Sequence, residues 1–514
     1  MLLLRKSHPI MSLLTALLTA SLLVSCYGYD KEEAELMDVA EKYINLRIAV
    51  STDNQSATRA GEIPAWGEDG DGREAGFERE NDVSGVTVIF YQHTNGINAS
   101  ATDAGNTKID FCAYYPVMLD SRETQGTDES PHKDEAIYST GNRPLKGTQI
   151  DITKSYHIIV VANVNLATEI TAGTTTLAQV REKVSSSAYN GTGKGIDASN
   201  FIMASEEDAT INFPGTTPTE DGNHLIYSFS GIRIERLAAR IDFWTKYGYS
   251  AGVEYKATTG TGTDVDGYEY MVFKNDTETT PTSSDIFKLV AVVPFNVNTG
   301  DEYYIKRTSE QDNFDARSAE TPLYLTHETN TSWVLDCYSN AAKTAAEHPA
   351  RLDNTLTAVQ GLADNDNKWL FLKDVQAADK KYALEGADNI IVGYPMENTI
   401  DDNSPLFYHA TGLAIYGYYY NGGIKDAAHT TKKVYYGYLR HRGENSGKYP
   451  AVESTDLSTT ETISSLGGRP DMNYGIVRNN IYRVSIDRIT EKGKLGLSIK
   501  VKKWDMFTHE VIYM

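Results

Sequence analysis

Tyr43-Ile-Asn-Leu-Arg-Ile-Ala-Val50 places Ile44, Leu46, Ile48 and Val50 at every second position, with Asn45 and Arg47 between them. That is the period of a half-buried β-strand, because successive side chains of a strand point to opposite faces. The 51–82 stretch that follows is polar, glycine-rich and without periodicity, so it reads as a long exposed loop. A second strand is expected over Val83–Tyr91. Tyr156-His-Ile-Ile-Val-Val-Ala-Asn163 is a continuous apolar run, as in a strand covered on both faces. Further strands are expected over Ile232–Phe243, Asp285–Val293, Lys368–Leu372, Asn389–Val392, Leu413–Tyr420, Lys432–Arg440, Asn480–Ile489 and Leu495–Trp504, separated by loops rich in Gly, Thr, Asn and Asp. The best helix candidate in the first half of the chain is residues 166–186. Strands outnumber helices and no βαβ alternation is visible, so the fold class is mainly β, of the sandwich type.

Composition agrees. The chain has 514 residues with 40 Gly and 33 Tyr, and 40% of its residues are hydrophobic. Turn formers and aromatics in that proportion suit β-structure with a packed core. Lys and Arg number 48 against 70 Asp and Glu, a formal charge of −22. Such a chain is a poor ligand for nucleic acid or anionic headgroups, because phosphate binding depends on clustered cations. The acidity lies in the body: residues 1–59 carry six Lys/Arg against seven Asp/Glu.

The N-terminus reads as an address. Arg5 and Lys6 precede an uncharged apolar run from Ile10 to Val24, too short to span a bilayer comfortably and shaped like the core of a signal peptide. It ends Leu23-Val24-Ser25-Cys26, which resembles the lipobox of bacterial lipoproteins, where the cysteine is lipidated and becomes the new N-terminus. An ordinary secretory signal with a chance cysteine is the alternative. The acidic stretch at residues 27–35 then resembles a surface-export tether, or is a solvated linker. Cys112 and Cys337 remain, too few for a disulfide framework or a zinc site; whether they meet is open.

Catalytic motifs are missing from the sequence. His327-Glu328 and His509-Glu510 lack the second His of a zinc-protease helix. There is no nucleophile elbow and no phosphate-cradling glycine loop. Asp364–Asn367 and Asp69–Gly72 lack the full acidic series of a calcium loop. No metal site, cofactor or catalytic residue is nominated, and the chain reads as non-enzymatic. The tyrosines in Tyr416–Asn421 and Val434–Tyr438 suit either cross-strand packing or a sugar-stacking platform; Tyr418 and Tyr436 are the candidate glycan contacts.

Several segments in order resemble the fimbrillin family, the subunits of lipoprotein-derived (type V) pili of Bacteroidales. They are the strand 43–50 with the loop to Arg59 and Ala60; Asn81–Tyr91; Ile158–Asn163; Phe201–Ser205; Arg236-Leu-Ala-Ala-Arg-Ile-Asp-Phe243; Arg478–Ile486; and Ile499–Trp504. The resemblance implies two transthyretin-like, Greek-key β-sandwich domains in tandem with a few short helices. The division expected is 1–25 signal peptide, 26–59 propeptide with a removable first strand, 60–237 N-terminal domain, and 238–514 C-terminal domain ending in a donor strand at about 495–514.

The resemblance also implies a life history. The precursor reaches the cell surface at the outer membrane, held by lipid on Cys26. A trypsin-like Arg-specific protease cuts after Arg59, leaving Ala60 as the new N-terminus. The first strand leaves, and the C-terminal strand of another fimbrial subunit takes its place, building an adhesive fimbria whose surface receptor is not specified. The residues suit this chemistry: Ile44, Leu46, Ile48 and Val50 on the released strand are matched by Leu497, Ile499, Val501, Trp504, Phe507 and Val511 near the C-terminus. Arg73 and Arg79 are weaker cleavage candidates, being further from the strand to be released. Two alternatives stay open: both segments are permanent strands of one sandwich, or the chain is a monomeric glycan-binding lipoprotein or tip adhesin.

Overall fold

The computed structural model describes residues 41–51, 73–75, 80–94, 101–125, 133–145, 148, 150–181, 183–185, 200–205, 209–244, 258–259, 268–275, 277–298, 302–305, 352–353, 358–359, 361–364, 366, 368–371, 389–396, 398–399, 411–439, 449–450, 475–476, 478–493 and 495–505. The described chain is mainly β. Its early strands are β1 (Glu41–Ser51), β2 (Arg73–Ala75), β3 (Gly85–Tyr91), β4 (Ile109–Pro116), β5 (Met118–Gln125), β6 (Lys133–Ser139), β7 (Arg143–Pro144), β8 (Ser155–Ala162), β9 (Met203–Ser205), β10 (Ala209–Asn212), β11 (Thr219–Asp221) and β12 (His224–Arg236). Two short helices accompany them, α1 (Ala101–Asn106) and α2 (Leu177–Arg181).

The first sheet runs β4-β3-β8-β9-β12-β1-β6-β5, with β10, β11 and β7 added beside β8, β12 and β1. Its end strands β4 and β5 are consecutive in the chain, joined through Val117 alone. Val86, Val88 and Phe90 of β3 share one buried cluster with Ile48 and Val50 of β1 and Tyr138 of β6. Strands so far apart along a ladder meet only if the sheet folds over on its own apolar face, which is how a sandwich hides its core. The opposite face of β8 is also covered. Ile159 and Val161 pack with Leu166, Leu177 and Val180, while Ile158 and Val160 face the first core. That double burial is why residues 156–163 are apolar without alternation.

The later strands are β13 (Arg240–Trp244), β14 (Thr258–Thr259), β15 (Tyr268–Met271), β16 (Ile286–Phe295), β17 (Leu370–Phe371), β18 (Asn389–Gly393), β19 (Gly412–Tyr420), β20 (Thr430–Tyr438), β21 (Tyr449–Pro450), β22 (Asn480–Ile489) and β23 (Leu495–Asp505). One sheet runs β2-β23-β22-β13-β18, the other β14-β15-β16-β19-β20. They face each other across a core holding Ile241 and Phe243 of β13, Val484 and Ile486 of β22, Leu289 of β16 and Ile415 of β19. This is a second sandwich.

The chain passes from the first sheet to the second within Leu237-Ala238-Ala239, all fully buried. The stretch 232–243, expected as one strand, is therefore divided between two strands in different sheets. Tyr394, Ile391 and Ile481 of the second sandwich join the first core, so the two are packed directly together. One short piece crosses the expected division: β2, inside the 51–82 loop and numbered with the first domain, is paired in parallel with β23 of the second, Arg73 opposite Lys503 and Ala75 opposite Asp505. The expected helix 166–186 is only the five residues of α2. Gly173 has φ +73°, a left-handed turn that breaks a helix, and Thr174 to Thr176 are β-branched. The helix starts at Thr176, whose Oγ1 accepts the Gln179 amide at 3.3 Å while Gln179 Oε1 accepts the Thr176 amide at 2.9 Å, a reciprocal cap. No helix among the described residues is long and apolar enough to cross a membrane.

Candidate functional site

Strand β1 occupies a seat with partners on both edges. It runs parallel to β12 from Glu41 opposite His224 to Val50 opposite Ile234, with a register shift between Leu46 and Ile48. On the other edge it is antiparallel to β6, Arg47 opposite Ser139 through Ser51 opposite Glu135, and to β7, Tyr43 opposite Pro144. Between β6 and β7 the chain turns at Gly141, whose φ of +65° favours a residue without Cβ. Thr140 bridges that break: its amide donates to the Leu46 carbonyl at 3.0 Å and its Oγ1 accepts the Leu46 amide at 3.0 Å.

The alternation seen in the sequence is the seat's inner lining. Ile44, Leu46, Ile48 and Val50 are each at most 1% exposed and all lie in the first core. The outer face is polar. Arg47 is ion-paired with Asp120 of β5 at 3.0 Å, and Asn45 accepts a hydrogen bond from Ser139 Oγ at 3.0 Å while donating to Asn142 Oδ1 at 3.1 Å. After Ser51 the chain next appears as β2 in the second sandwich, so the stretch holding Arg59 and Ala60 connects two different sheets. Cys26, Arg59 and Ala60 themselves lie outside the described residues.

At the other end, β23 is paired with β22 from Leu495 to Lys503, Asn480 opposite Lys503 through Ile489 opposite Leu495. Leu497 is 2% exposed in the second core and Ile499 packs against it. These two side chains are thus in use within their own sandwich. The side chains of Val501 and Trp504, and the whole of Phe507 and Val511, lie outside the described residues.

The candidate glycan tyrosines sit in a packed cluster. Tyr418 and Tyr436 are half-buried beside Phe295, Trp369 and Tyr416 on the far face of the β16–β20 sheet. Tyr416 donates its hydroxyl to Tyr418 at 2.9 Å, and Lys432 lies over the Tyr416 ring and pairs with Asp364. Burial pushes the Tyr436 phenol up to about 12. Rings held this way take part in cross-strand packing. Cys337 lies outside the described residues; burial raises the Cys112 thiol to about 12. Among the described residues, no three His, Cys, Asp or Glu side chains gather closely enough to hold a metal ion.

A feature the sequence reading did not single out lies where the sandwiches meet. Arg240 and Asp242 occupy one face of β13, opposite the core-facing Ile241 and Phe243. Arg240 is 3.0 Å from Glu80 and 2.9 Å from Asp242, with no side-chain surface exposed on any of the three. Tyr394 donates its hydroxyl to the other Glu80 oxygen at 2.5 Å. Arg236 donates Nε to the Glu80 carbonyl at 3.0 Å, one terminal nitrogen to Asn479 Oδ1 at 2.8 Å and the other to Asn81 Oδ1. Burial alone would lower the Arg240 pKa, but the carboxylates of Asp242 and Glu80 outweigh it and hold the guanidinium charged. Burial, reinforced by the Glu80 charge, keeps the Tyr394 phenol neutral. The next residues are pinned too. Tyr138 donates to the Asn81 carbonyl at 2.8 Å, Asn163 Nδ2 donates to the Asp82 carbonyl at 2.9 Å, and Asn163 Oδ1 accepts the Ser84 amide at 2.9 Å. The visible signal was two arginines and an aspartate within the segment 236–243; their partner Glu80 stands 160 positions away from Arg240.

No protein-family model matches the sequence, and no curated protein does. Among solved structures, a fimbrilin (fimA) from Porphyromonas gingivalis is similar over 92% of this chain and 99% of its own, at 14% identity and a TM-score of 0.36. The tip fimbrial protein Mfa3 from Porphyromonas gingivalis, with a C-terminal truncation, is similar over 90% of this chain and 100% of its own, at 8% identity and a TM-score of 0.34. A fimbrial assembly protein from Parabacteroides distasonis is similar over 76% of this chain and 99% of its own, at 10% identity and a TM-score of 0.27. These solved structures to which the chain is similar are fimbrial proteins of Bacteroidales.

Proposed function

We propose that the chain is a non-enzymatic structural subunit of a cell-surface fimbria, exported as a lipoprotein through Cys26, matured by a cut after Arg59 and assembled by strand exchange. The observation that carries this reading is β1. One strand, β1, lies between β12 and β6–β7, supplies four core side chains, and is joined to everything that follows it through the stretch that contains Arg59. Removing it would open one continuous apolar groove with unpaired backbone on both sides. At about 2 kcal/mol per buried aliphatic side chain, refilling the groove is worth roughly 8 kcal/mol before ordering costs. Backbone pairing to both walls adds to that.

Leu497 and Ile499 are occupied in their own sandwich, so we assign the donating segment to the residues after Asp505, with Phe507 and Val511 as its apolar anchors. A surface location at the outer membrane follows from the lipoprotein leader, and an adhesive role from the fimbrial assembly. Low-dose trypsin on the purified protein is the test. The expected result is an early cut after Arg59 followed by oligomers that sodium dodecyl sulfate dissociates. Arg59→Ala is expected to abolish both. Clean cutting that leaves only monomer would overturn the exchange step.

A further inference from the structure

The stretch between Ser51 and Val83 offers a trypsin-like protease three bonds, after Arg59, Arg73 and Arg79, and holds no lysine. A protease binds its substrate as an extended strand and needs several residues on each side of the bond free of other structure. Arg73 opens β2, whose backbone is in register with Lys503–Asp505. Arg79 is followed at once by Glu80 and Asn81, which are 0% and 3% exposed. Glu80 is held by residues from both sandwiches, Arg236 of the first and Arg240 and Tyr394 of the second, and Asn81 by Tyr138 and Arg236 of the first. For a protease to engage the Arg79 bond, the Glu80 carboxylate must leave Arg240 and Tyr394, and its carbonyl must leave Arg236.

We propose that Glu80 is a specificity-determining stop that limits maturation to Arg59. It holds the chain downstream of the cut to the junction of the sandwiches while β1, upstream of it, is free to go. The mature subunit then keeps residues 60–79 ahead of the tie at Glu80, with Arg73–Ala75 among them paired to β23 as β2. The stop rests on the maturation reading for its biological use, but not for its physical test. Two ends made by one cut behave differently: β1 is held by an apolar groove that another strand can refill, whereas Glu80 is held by charges and hydrogen bonds that no apolar strand replaces.

The test is a timed trypsin digestion of the full chain, followed by intact mass and N-terminal sequencing, on the wild type, Glu80→Gln and Tyr394→Phe. The same three are also made in an Arg59→Ala background. The wild type is expected to yield a persistent fragment beginning at Ala60. Glu80→Gln should cut after Arg79 at least roughly tenfold faster, since cutting tracks the population of the opened segment. Tyr394→Phe, which keeps the ring and removes one hydrogen bond to Glu80, should shift Arg79 cutting in the same direction by less. Cutting after Lys288, deep in the second sandwich, is the folding control. Should Glu80→Gln raise Lys288 cutting as well, Tyr394→Phe decides: a selective rise at Arg79 supports the stop, and no rise or a general one overturns it. Wild-type trimming to Glu80 as fast as cutting at Arg59 also overturns it. If Arg59 resists trypsin the maturation reading fails, and the Arg59→Ala series still reads the stop by itself.

Discussion

The guanidinium of Arg47 on β1 lies 3.0 Å from the carboxylate of Asp120 on β5, reaching across the intervening strand β6. Both side chains are more than a third exposed, whereas Ile48, the next residue of β1, is completely buried. Arg47→Ala is therefore expected to cost less than about 1 kcal/mol of unfolding free energy, and Ile48→Ala about 2–4 kcal/mol. Urea melts of the uncut protein measure both. Once β1 has been cut away and replaced, the Ile48→Ala penalty should vanish from the assembled fibre. A penalty of equal size there would mean that β1 had never left.

Residues 506–514 should be dispensable for folding and needed for assembly. The described part of β23 is paired with β22 from Leu495 to Lys503 and with β2 from Lys503 to Asp505, so truncation after Asp505 is expected to leave the melting temperature within a few degrees of wild type. Leu497→Asp, by contrast, buries a carboxylate in the second core and should unfold that sandwich. Differential scanning calorimetry of the two variants, with oligomer analysis of the truncated one after trypsin, separates a donating tail from a structural strand.

Alkaline pH should loosen the second sandwich. Burial raises the phenols of Tyr416, Tyr419, Tyr435 and Tyr436 above the ordinary tyrosine value, Tyr436 to about 12. The folded state therefore holds these protons more tightly than the unfolded chain does. Their contribution is fully present below about pH 10 and is lost as pH rises through the folded values. The melting temperature is expected to fall as pH is raised from about 10 to about 12, and Tyr436→Phe should make that fall shallower. A melting temperature flat over this interval would contradict the assignment.

Cys112 should resist alkylation in the folded protein. Burial raises its thiol to about 12, so almost no thiolate exists near neutral pH. Iodoacetamide at about pH 8 is expected to label it only after denaturation, as read by mass spectrometry.

Replacing Tyr418 or Tyr436 by Ala should lower stability rather than remove a sugar-binding activity. Each ring supports the cluster around Trp369 and Tyr416, and losing one leaves a gap worth about 2–4 kcal/mol. Polysaccharide affinity electrophoresis of the wild type is the matching check. Retention lost in both variants at unchanged stability would revive the platform reading.

What could be read in the sequence was whatever local periodicity encodes. The alternation at Ile44, Leu46, Ile48 and Val50 is the inward face of β1. The unbroken run at residues 156–163 has a core on each side. Asn480–Ile489 begins and ends where expected. The losses have physical causes. The run 232–243 keeps strand-like alternation on both sides of Leu237-Ala238-Ala239 with no Gly or Pro between, so nothing local marks where the chain leaves one sheet for another. β2 has only three residues and takes its place from β23, far along the chain. The helix expected over 166–186 failed on Gly173 and its threonines, residues whose turn preference outweighed the apolar spacing. The Glu80 network escaped notice because a buried charge declares itself only when its partner is seen.

The two walls of the β1 seat have opposite polarity: β12 runs with β1, while β6 and β7 run against it. Whatever fills that seat is read in one direction only. A tail donated from the far sandwich of a second copy would leave that copy's own seat open at its distant end, so the contact is between two unlike surfaces and is not its own mirror. Under a two-fold axis such a contact does not close into a dimer. Under the proposed exchange it would repeat, each copy accepting at one sandwich and giving at the other, and the resulting thread would have a chemically distinct beginning and end.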